Sequence, residues 1–312
     1  MSAFLQKYTH STTLQTFKSW LLAFYALSQY IETLPEGKKV IFIDELPWMD
    51  TAKLGFIPAL ENFWNSWAVL RNDIKLIVCG SATSWMINNL IRNRGGLHNR
   101  LTHHLIVKPF TLHECEEYFK AYHFGYSRKQ IAECYMVMGG IPYYLSMMDK
   151  SKSLAQNIDQ LFFADNAELK DEFNDLYRAL FKKSADHIAV VTALATKGMG
   201  MTRQELVKAS GGKDNGAFST VLEELEQCGF IRLYEPFCTA NKMTSDIRQK
   251  RNTLFQLVDF YTLFYFRFIR HNKYQDSSFW SSSQNSQLYH TRKLYSSMNC
   301  HGWIPPDRKS VV

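Results

Sequence analysis

The sequence lacks several features that would place it at once in a broad class of protein. Its six cysteines include no Cys-x-x-Cys pair, and no cysteines and histidines have the spacing of a zinc site. We interpret the cysteines as scattered reduced thiols, which predicts a cytoplasmic protein. No signal peptide is visible, and no apolar run is long enough to cross a bilayer. These absences predict that the membrane is not a partner of the chain.

The composition is that of a folded protein with a mildly basic surface. Of the 312 residues, 46% are hydrophobic and 14% are aromatic, which is enough apolar surface for more than one core. The formal net charge of +7 suits nucleic acid or another acidic partner, and it suits an ordinary basic soluble protein equally well. Charge alone therefore identifies no partner.

Short apolar runs alternate with helical periodicity in the first third of the chain. The runs 40–43 and 76–79 contain no polar alternation, which predicts strands that are buried on both faces, and 105–107 is a third candidate strand. The segments between them, about 57–70 and 84–92, have the spacing of amphipathic helices. Strands that alternate with helices predict βαβ units and a parallel sheet.

The rest of the chain is predicted to be mainly helical. Residues 111–183 are predicted to form a helical lid that is interrupted by a Gly-Gly-Ile-Pro turn. Residues 184–250 contain three helical segments and a strand, with a capping box from Thr202 to Glu205, and this order predicts a winged helix. The aromatic residues of 255–268 have helical spacing, which is more often found in a core than in a nucleic-acid stacking surface.

Two carboxylates follow the first predicted strand. Asp44 and Glu45 come directly after the run 40–43, at the end of a strand where open α/β sheets bind ligands. In a phosphoryl-transfer site the first carboxylate would help to hold Mg²⁺, and the second would polarise the attacking water. A buried strand that simply ends in solvent with two acids would look the same, so the neighbouring segments must decide.

Residues 39–180 resemble the archaeal ATPase family, a STAND-related branch of the AAA+ proteins. Phe42–Met49 is similar to the Walker B segment of that family, and Leu76–Ser81 is similar to the adjacent strand, with Ser81 at the sensor-1 position. The resemblance implies an α/β fold with a partial P-loop NTPase parallel sheet, then a helical lid and a winged-helix domain. It also implies ATP and Mg²⁺ as cofactors of the full-length family member. Ser81 would contact the γ-phosphate or the attacking water, although a serine at a strand end also commonly caps the next helix.

Two further segments match the pattern of this family. In the basic loop 92–100, Arg94 and Arg100 are candidates for stabilising transferred charge, and a solvated basic loop is the alternative. The turn that contains Gly140 and Pro142 resembles the GxP motif of the family, which lies against the nucleotide base. Tyr143 or Tyr144 could add stacking there, and a helix-breaking turn with core aromatics is the alternative.

The motif G-x-x-x-x-G-K-S/T, whose amides and lysine cradle phosphates, occurs nowhere in the chain. The family carries it ahead of the Walker B segment. We therefore expect that the chain starts inside that domain, that 1–110 is a partial ATPase core, and that this polypeptide alone hydrolyses little or no ATP. We assign 251–290 to the start of a C-terminal domain and 291–312, which has no helical or strand period, to an aberrant tail.

The sequence leaves two functions open. In the first, the chain is a fragment of an ATP-binding AAA+/STAND ATPase that acts as a nucleotide-driven conformational switch and forms homo-oligomers. In the second, it is a DNA-binding regulator built on the winged helix, with a degenerate and non-catalytic ATPase core. The third helix of the predicted winged helix, 216–228, carries three glutamates and no lysine or arginine, which disfavours contact with phosphates.

Overall fold

The computed structural model shows a mixed α/β protein. The residues that it describes are 16–50, 55–81, 83–91, 95–97, 99–181, 183–234, 253–270 and 277–282. The chain divides into two compact units, Met1–Leu105 and Ile106–Val312. The finer division into lid, winged helix and C-terminal region stays a prediction, and the predicted tail 291–312 lies outside the described residues.

The first unit contains a two-stranded parallel sheet. Its elements are α1 (Trp20–Glu32), β1 (Lys39–Ile43), α2 (Leu46–Met49), α3 (Phe56–Ser66), β2 (Ile74–Val78) and α4 (Thr83–Met86), which continues as a π-helical turn over Ile87–Ile91. The pairing of β1 with β2 runs from Lys39 opposite Ile74 to Ile43 opposite Val78. The predicted βαβ unit and its parallel sheet are therefore confirmed.

One face of this sheet is covered. Phe24 on α1 stacks on Phe63 of α3 with ring centroids 5.1 Å apart, and Ile41 and Leu76 of the sheet pack against the same cluster. On the opposite face Val40 and Phe42 remain 61% and 59% exposed. The prediction that both strands are buried on both faces was wrong, because the described helices that pack on the sheet contribute to a single cluster on one side.

The third predicted strand is also absent. Residues 105–107 lie in a segment without regular secondary structure, and Leu105 and Val107 are 84% and 86% exposed. Apolar β-branched residues favour a strand only where a neighbouring strand can pair with them. Within the part of the chain that the structure describes, these residues have no such partner.

The two strands are tied together at their amino-terminal ends. Asp73 accepts a two-pronged hydrogen bond from the Arg71 guanidinium, and its Oδ2 lies 3.0 Å from the Lys39 Nζ. The guanidinium and the ammonium hold the pKa of the Asp73 carboxyl well below its ordinary value. This cluster fixes the start of the sheet, opposite the end that carries Asp44.

The second unit is largely helical with a small antiparallel sheet. Its elements are α5 (Leu112–Ala121), α6 (Arg128–Met138), α7 (Pro142–Ser146), α8 (Leu154–Ile158), α9 (Glu172–Leu180), α10 (Ser184–Ala195), β3 (Met201–Thr202), α11 (Arg203–Ser210), α12 (Gly216–Gln227), β4 (Ile231–Tyr234), β5 (Leu254–Leu257), α13 (Phe260–Phe264) and α14 (Phe279–Ser282). The strands lie in the order β3-β5-β4. The capping box predicted at Thr202 and Glu205 is present, and equivalent boxes begin α5, α6 and α8.

The core of the second unit extends from α5 to α14. Tyr261 and Phe264 are fully buried within it, so the aromatic stripe of 255–268 is core, as predicted. The buried Asp159 accepts hydrogen bonds from the amides of Trp280 and Ser281, which docks the start of α14. Among the described residues, no helix has the length and apolarity needed to span a bilayer.

Candidate functional site

Asp44 and Glu45 lie at the carboxyl end of β1, beside the residues that follow β2. The pairing continues past the strands, because the Cys79 amide donates to the Ile43 carbonyl at 3.1 Å and the Leu46 amide donates to the Cys79 carbonyl at 3.0 Å. The acidic pair and the segment Cys79–Ser81 are therefore held side by side. Polar groups at the carboxyl edge of a parallel sheet occupy the place where such sheets bind ligands.

The backbone of Glu45 is left-handed, with φ 52° and ψ 48°, and the residue begins α2. A residue with a side chain pays about 1–3 kcal/mol for this conformation, which persists only where the surroundings enforce it. The next residue, Leu46, is fully buried and hydrogen-bonded through its amide to Cys79. The turn brings the Glu45 carboxylate to Ser81, whose hydroxyl donates to Oε2 at 3.1 Å.

Asp44 is exposed, and its carboxylate is oriented by two donors. The Glu45 amide donates to Asp44 Oδ1 at 2.9 Å, and the Cys79 thiol donates to the same oxygen. The pKa of the Cys79 thiol is raised, first by burial and then by its hydrogen bond to Asp44, so the sulfur keeps its proton.

Gly80 allows the two strand ends to approach each other this closely. A Cβ at this position would lie 2.6 Å from Pro47 Cδ and 3.1 Å from Met86 Sδ. No side chain fits at such distances unless the proline ring moves. Neither Gly80 nor Cys79 was predicted to belong to the site; the signal was a cysteine, a glycine and a serine in succession at the end of an apolar run.

The structure describes only one of the two candidate arginines. Arg94 lies outside the described residues. Arg100 is exposed in a turn, where its amide donates to the Leu97 carbonyl at 3.1 Å. The same turn is held to α3, because the Asn65 side chain donates to the Gly96 carbonyl at 2.9 Å. The structure shows no contact that assigns Arg100 to the acidic pair, so its role stays a prediction.

The turn after α6 belongs to the second unit. Gly139 and Gly140 both have left-handed backbones, and Pro142 opens α7. The Gly140 carbonyl accepts from the Phe110 amide at 2.8 Å, and a Cβ on Gly140 would lie 2.3 Å from the Phe110 carbonyl oxygen. This glycine is therefore required by backbone contact, whatever the turn binds.

The two tyrosines after this turn have opposite environments. Tyr143 is 63% exposed, whereas Tyr144 is buried and donates its hydroxyl proton to Glu172 at 2.8 Å. Burial raises the pKa of Tyr144, with the neighbouring Glu172 carboxylate as the second cause. Of the two, only Tyr143 offers a ring face for stacking, and Tyr144 belongs to the core.

The residues present fit Mg²⁺ only as part of a nucleotide complex. Among the described residues, no group of three or more histidines, cysteines or acids could hold a metal ion. Mg²⁺ in phosphoryl-transfer sites is commonly bound through one or two carboxylates together with substrate phosphates and water. Asp44 supplies one such carboxylate, with Oδ2 left open by the described part of the chain.

The helix that was considered for DNA contact presents an acidic outer face. On α12, Glu223 and Glu226 are exposed, and Glu224 accepts a hydrogen bond from the buried His187 at 2.8 Å. Carboxylates on the outer face would repel a phosphate backbone. The geometry of α12 therefore gives no support to DNA binding through this helix.

No family model matches the sequence. The chain is 23% identical over 232 residues to an uncharacterized protein of Methanocaldococcus jannaschii, in an alignment that covers 74% of this chain and 49% of that protein. The chain thus spans about half the length of the curated relative that it matches. Its fold is similar to that of a Walker-type ATPase of Pyrococcus abyssi, with a TM-score of 0.53 and 16% identity over 85% of this chain and 75% of that one. The comparison therefore shows that the chain has a fold like that of this Walker-type ATPase.

Proposed function

We propose that this chain is part of an ATP-binding ATPase of the AAA+/STAND kind, in which nucleotide state drives a conformational switch. The observation that carries the proposal is the pair Asp44 and Glu45 at the carboxyl end of a parallel strand, beside Ser81. The likeness in fold to a Walker-type ATPase supports it.

Each residue of the site has a role in this proposal. Asp44 binds Mg²⁺ through Oδ2, and Mg²⁺ supplies charge neutralisation for the phosphate oxygens when it is bound. Glu45 orients the attacking water and accepts its proton. Ser81 holds the Glu45 carboxylate while no nucleotide is bound, and its one hydroxyl proton would turn to the γ-phosphate or the attacking water when nucleotide is present. Arg94 or Arg100 stabilises the transferred charge.

The proposal also assigns roles to segments of the second unit. In this proposal the turn with Gly140 and Pro142 would contact the nucleotide base, as the resemblance to the GxP motif implies, and the exposed ring of Tyr143 would stack on it. The helical lid and the winged helix respond to nucleotide as rigid bodies. The winged helix packs within the protein in this scheme, because its third helix exposes acids where a DNA-binding helix needs positive charge.

The test is Mg²⁺-dependent ATP hydrolysis in a form of the protein that also carries the G-x-x-x-x-G-K-S/T segment. We expect Glu45→Gln to lower kcat by roughly 10²–10⁴-fold, because it removes a general base, while ATP affinity is kept. Glu36→Gln, at the opposite end of β1, is the matched control and should leave kcat unchanged. Equal rates for Glu45→Gln and the parent would exclude Glu45 as the base.

The gene ahead of Met1 separates this proposal from the regulator hypothesis. A phosphate-loop motif encoded in frame there supports the ATPase, and a start at Met1 without one supports a degenerate core. For the 312-residue chain by itself we expect ATP binding weaker than micromolar by calorimetry, since it has no phosphate loop. A salt-dependent gel shift with duplex DNA would favour the regulator.

A further inference from the structure

We propose that Cys79 is a positioning residue for Asp44, which leaves Oδ2 as the oxygen that binds a divalent cation. This inference rests on the proposed function, because there Asp44 is the Mg²⁺ ligand. The Cys79 thiol and the Glu45 amide both donate to Oδ1, and the described residues place no hydrogen bond on Oδ2.

The position of the sulfur is set by the backbone on both sides of Cys79. Its amide donates to Ile43 and its carbonyl accepts from Leu46, so the residue is bonded to the chain immediately before and after the acidic pair. A fixed backbone leaves the thiol only its few staggered χ1 rotamers, and the one in the structure directs the sulfur at Asp44 Oδ1. The thiol therefore meets Asp44 through the sheet register, independently of any ligand.

A thiol suits this task better than a stronger donor would. An S–H group is a weak donor, so it orients the carboxylate while leaving most of its negative charge for a cation. Partners that orient a metal-binding carboxylate commonly change metal affinity by about 10–100-fold when they are removed. Cys79 acts through Asp44 and touches neither nucleotide nor cation.

The contact can be tested by the S–H stretching band, which lies apart from other protein vibrations and moves to lower frequency when the thiol donates. We expect one low-frequency component in the full chain that disappears in Cys79→Ser. In Asp44→Ala the component should move to higher frequency, since the acceptor is gone. A band that is unaffected by Asp44→Ala would overturn the proposal.

The consequence can be tested with Mn²⁺ and ATP together, by water-proton relaxation titration of the form of the protein that also carries the G-x-x-x-x-G-K-S/T segment. We expect Asp44→Ala to abolish the specific binding, Cys79→Ala to weaken it about tenfold, and Cys79→Ser to restore most of it. Cys228→Ala, at a partly buried cysteine of the other unit, is the matched control. Wild-type affinity in a folded Cys79→Ala variant would overturn the proposal.

The two proposals can fail separately. If the band and the Mn²⁺ titration behave as expected while Glu45→Gln leaves ATP hydrolysis unchanged, the positioning role stands and the assigned catalysis falls. If Cys79→Ala does not fold, the band shift in Asp44→Ala and the Mn²⁺ affinity of Cys79→Ser still decide the question.

Discussion

Several of the described residues have left-handed backbones, and two of them, Glu45 and Gly140, adopt this conformation for different reasons. Glu45 does so at the acidic pair with a full side chain, whereas Gly140 does so with glycine. Strain at Glu45 coincides with a hydrogen bond from Ser81, which suits a functional site. The left-handed backbone at Gly140 coincides with backbone contact to Phe110, which is a structural requirement.

This difference predicts the effect of Gly140→Ala. The new Cβ would lie 2.3 Å from the Phe110 carbonyl oxygen on a backbone with φ 71°, so both strain and steric clash add to the cost. We expect the free energy of unfolding in urea to fall by about 3 kcal/mol or more. Gly211→Ala has the same φ of 71° and open space around its Cβ, so it should cost only about 1 kcal/mol. If the free energy of unfolding fell by the same amount in both variants, the contact with Phe110 would be shown to be unimportant.

At the scale of elements, several helices of the second unit, among them α5, α6, α8 and α11, begin at a short polar side chain that caps them. The box at the start of α11 is reinforced from outside, because the Lys197 ammonium lies 2.8 Å from Glu205 Oε1. That hydrogen bond, followed by those from Thr202, lowers the pKa of Glu205 to about 2.

The lowered pKa of Glu205 predicts a pH-dependent contribution to stability. Because the pKa of Glu205 in the folded protein lies below the ordinary glutamate value of 4.5, the contribution is complete above that value and is lost as the pH falls towards 2. Glu205→Gln should therefore have a slightly lower Tm than the parent at pH 7, and the difference should vanish near pH 2. The effect should shrink in high salt, since the groups are exposed.

Glu226→Gln on α12 is the control for this pH series, because Glu226 is exposed and forms no ion pair with the described residues. The Tm of Glu226→Gln should equal that of the parent at every pH. A difference between Glu205→Gln and the parent that stays constant down to pH 2 would contradict the assigned role of Glu205.

At the scale of the whole molecule, the chain forms two units that meet in sequence between Leu105 and Ile106. Residues 101–109 are all exposed, and they form no backbone hydrogen bond with the described part of the chain. Exposed backbone of this kind is where proteases cut native proteins.

We therefore expect thermolysin to cleave native protein before Leu105, Ile106 or Val107, as read by mass spectrometry of the products. Replacing these three residues by serine should remove those cuts and leave other cleavages unchanged. Survival of all three bonds at protease concentrations that cut native protein elsewhere would show that the segment is protected.

The features that could be predicted from the sequence are those that residues close together in the chain determine. The capping box of α11, the strand before Asp44 and the parallel pairing were all predictable, because each follows from residues close together or from apolar runs. The uncovered face with Val40 and Phe42 was not, since an apolar run predicts burial without saying what covers it.

The sequence by itself determined that two acids end a strand, that Gly140 lies in a turn and that helices follow. Only the tertiary structure decided that Tyr143 is exposed and Tyr144 is core, and that the Cys79 thiol meets a carboxylate 35 positions away. The physical reason is that secondary structure follows from neighbouring residues, whereas burial and hydrogen-bond partners are set by segments that only folding brings together.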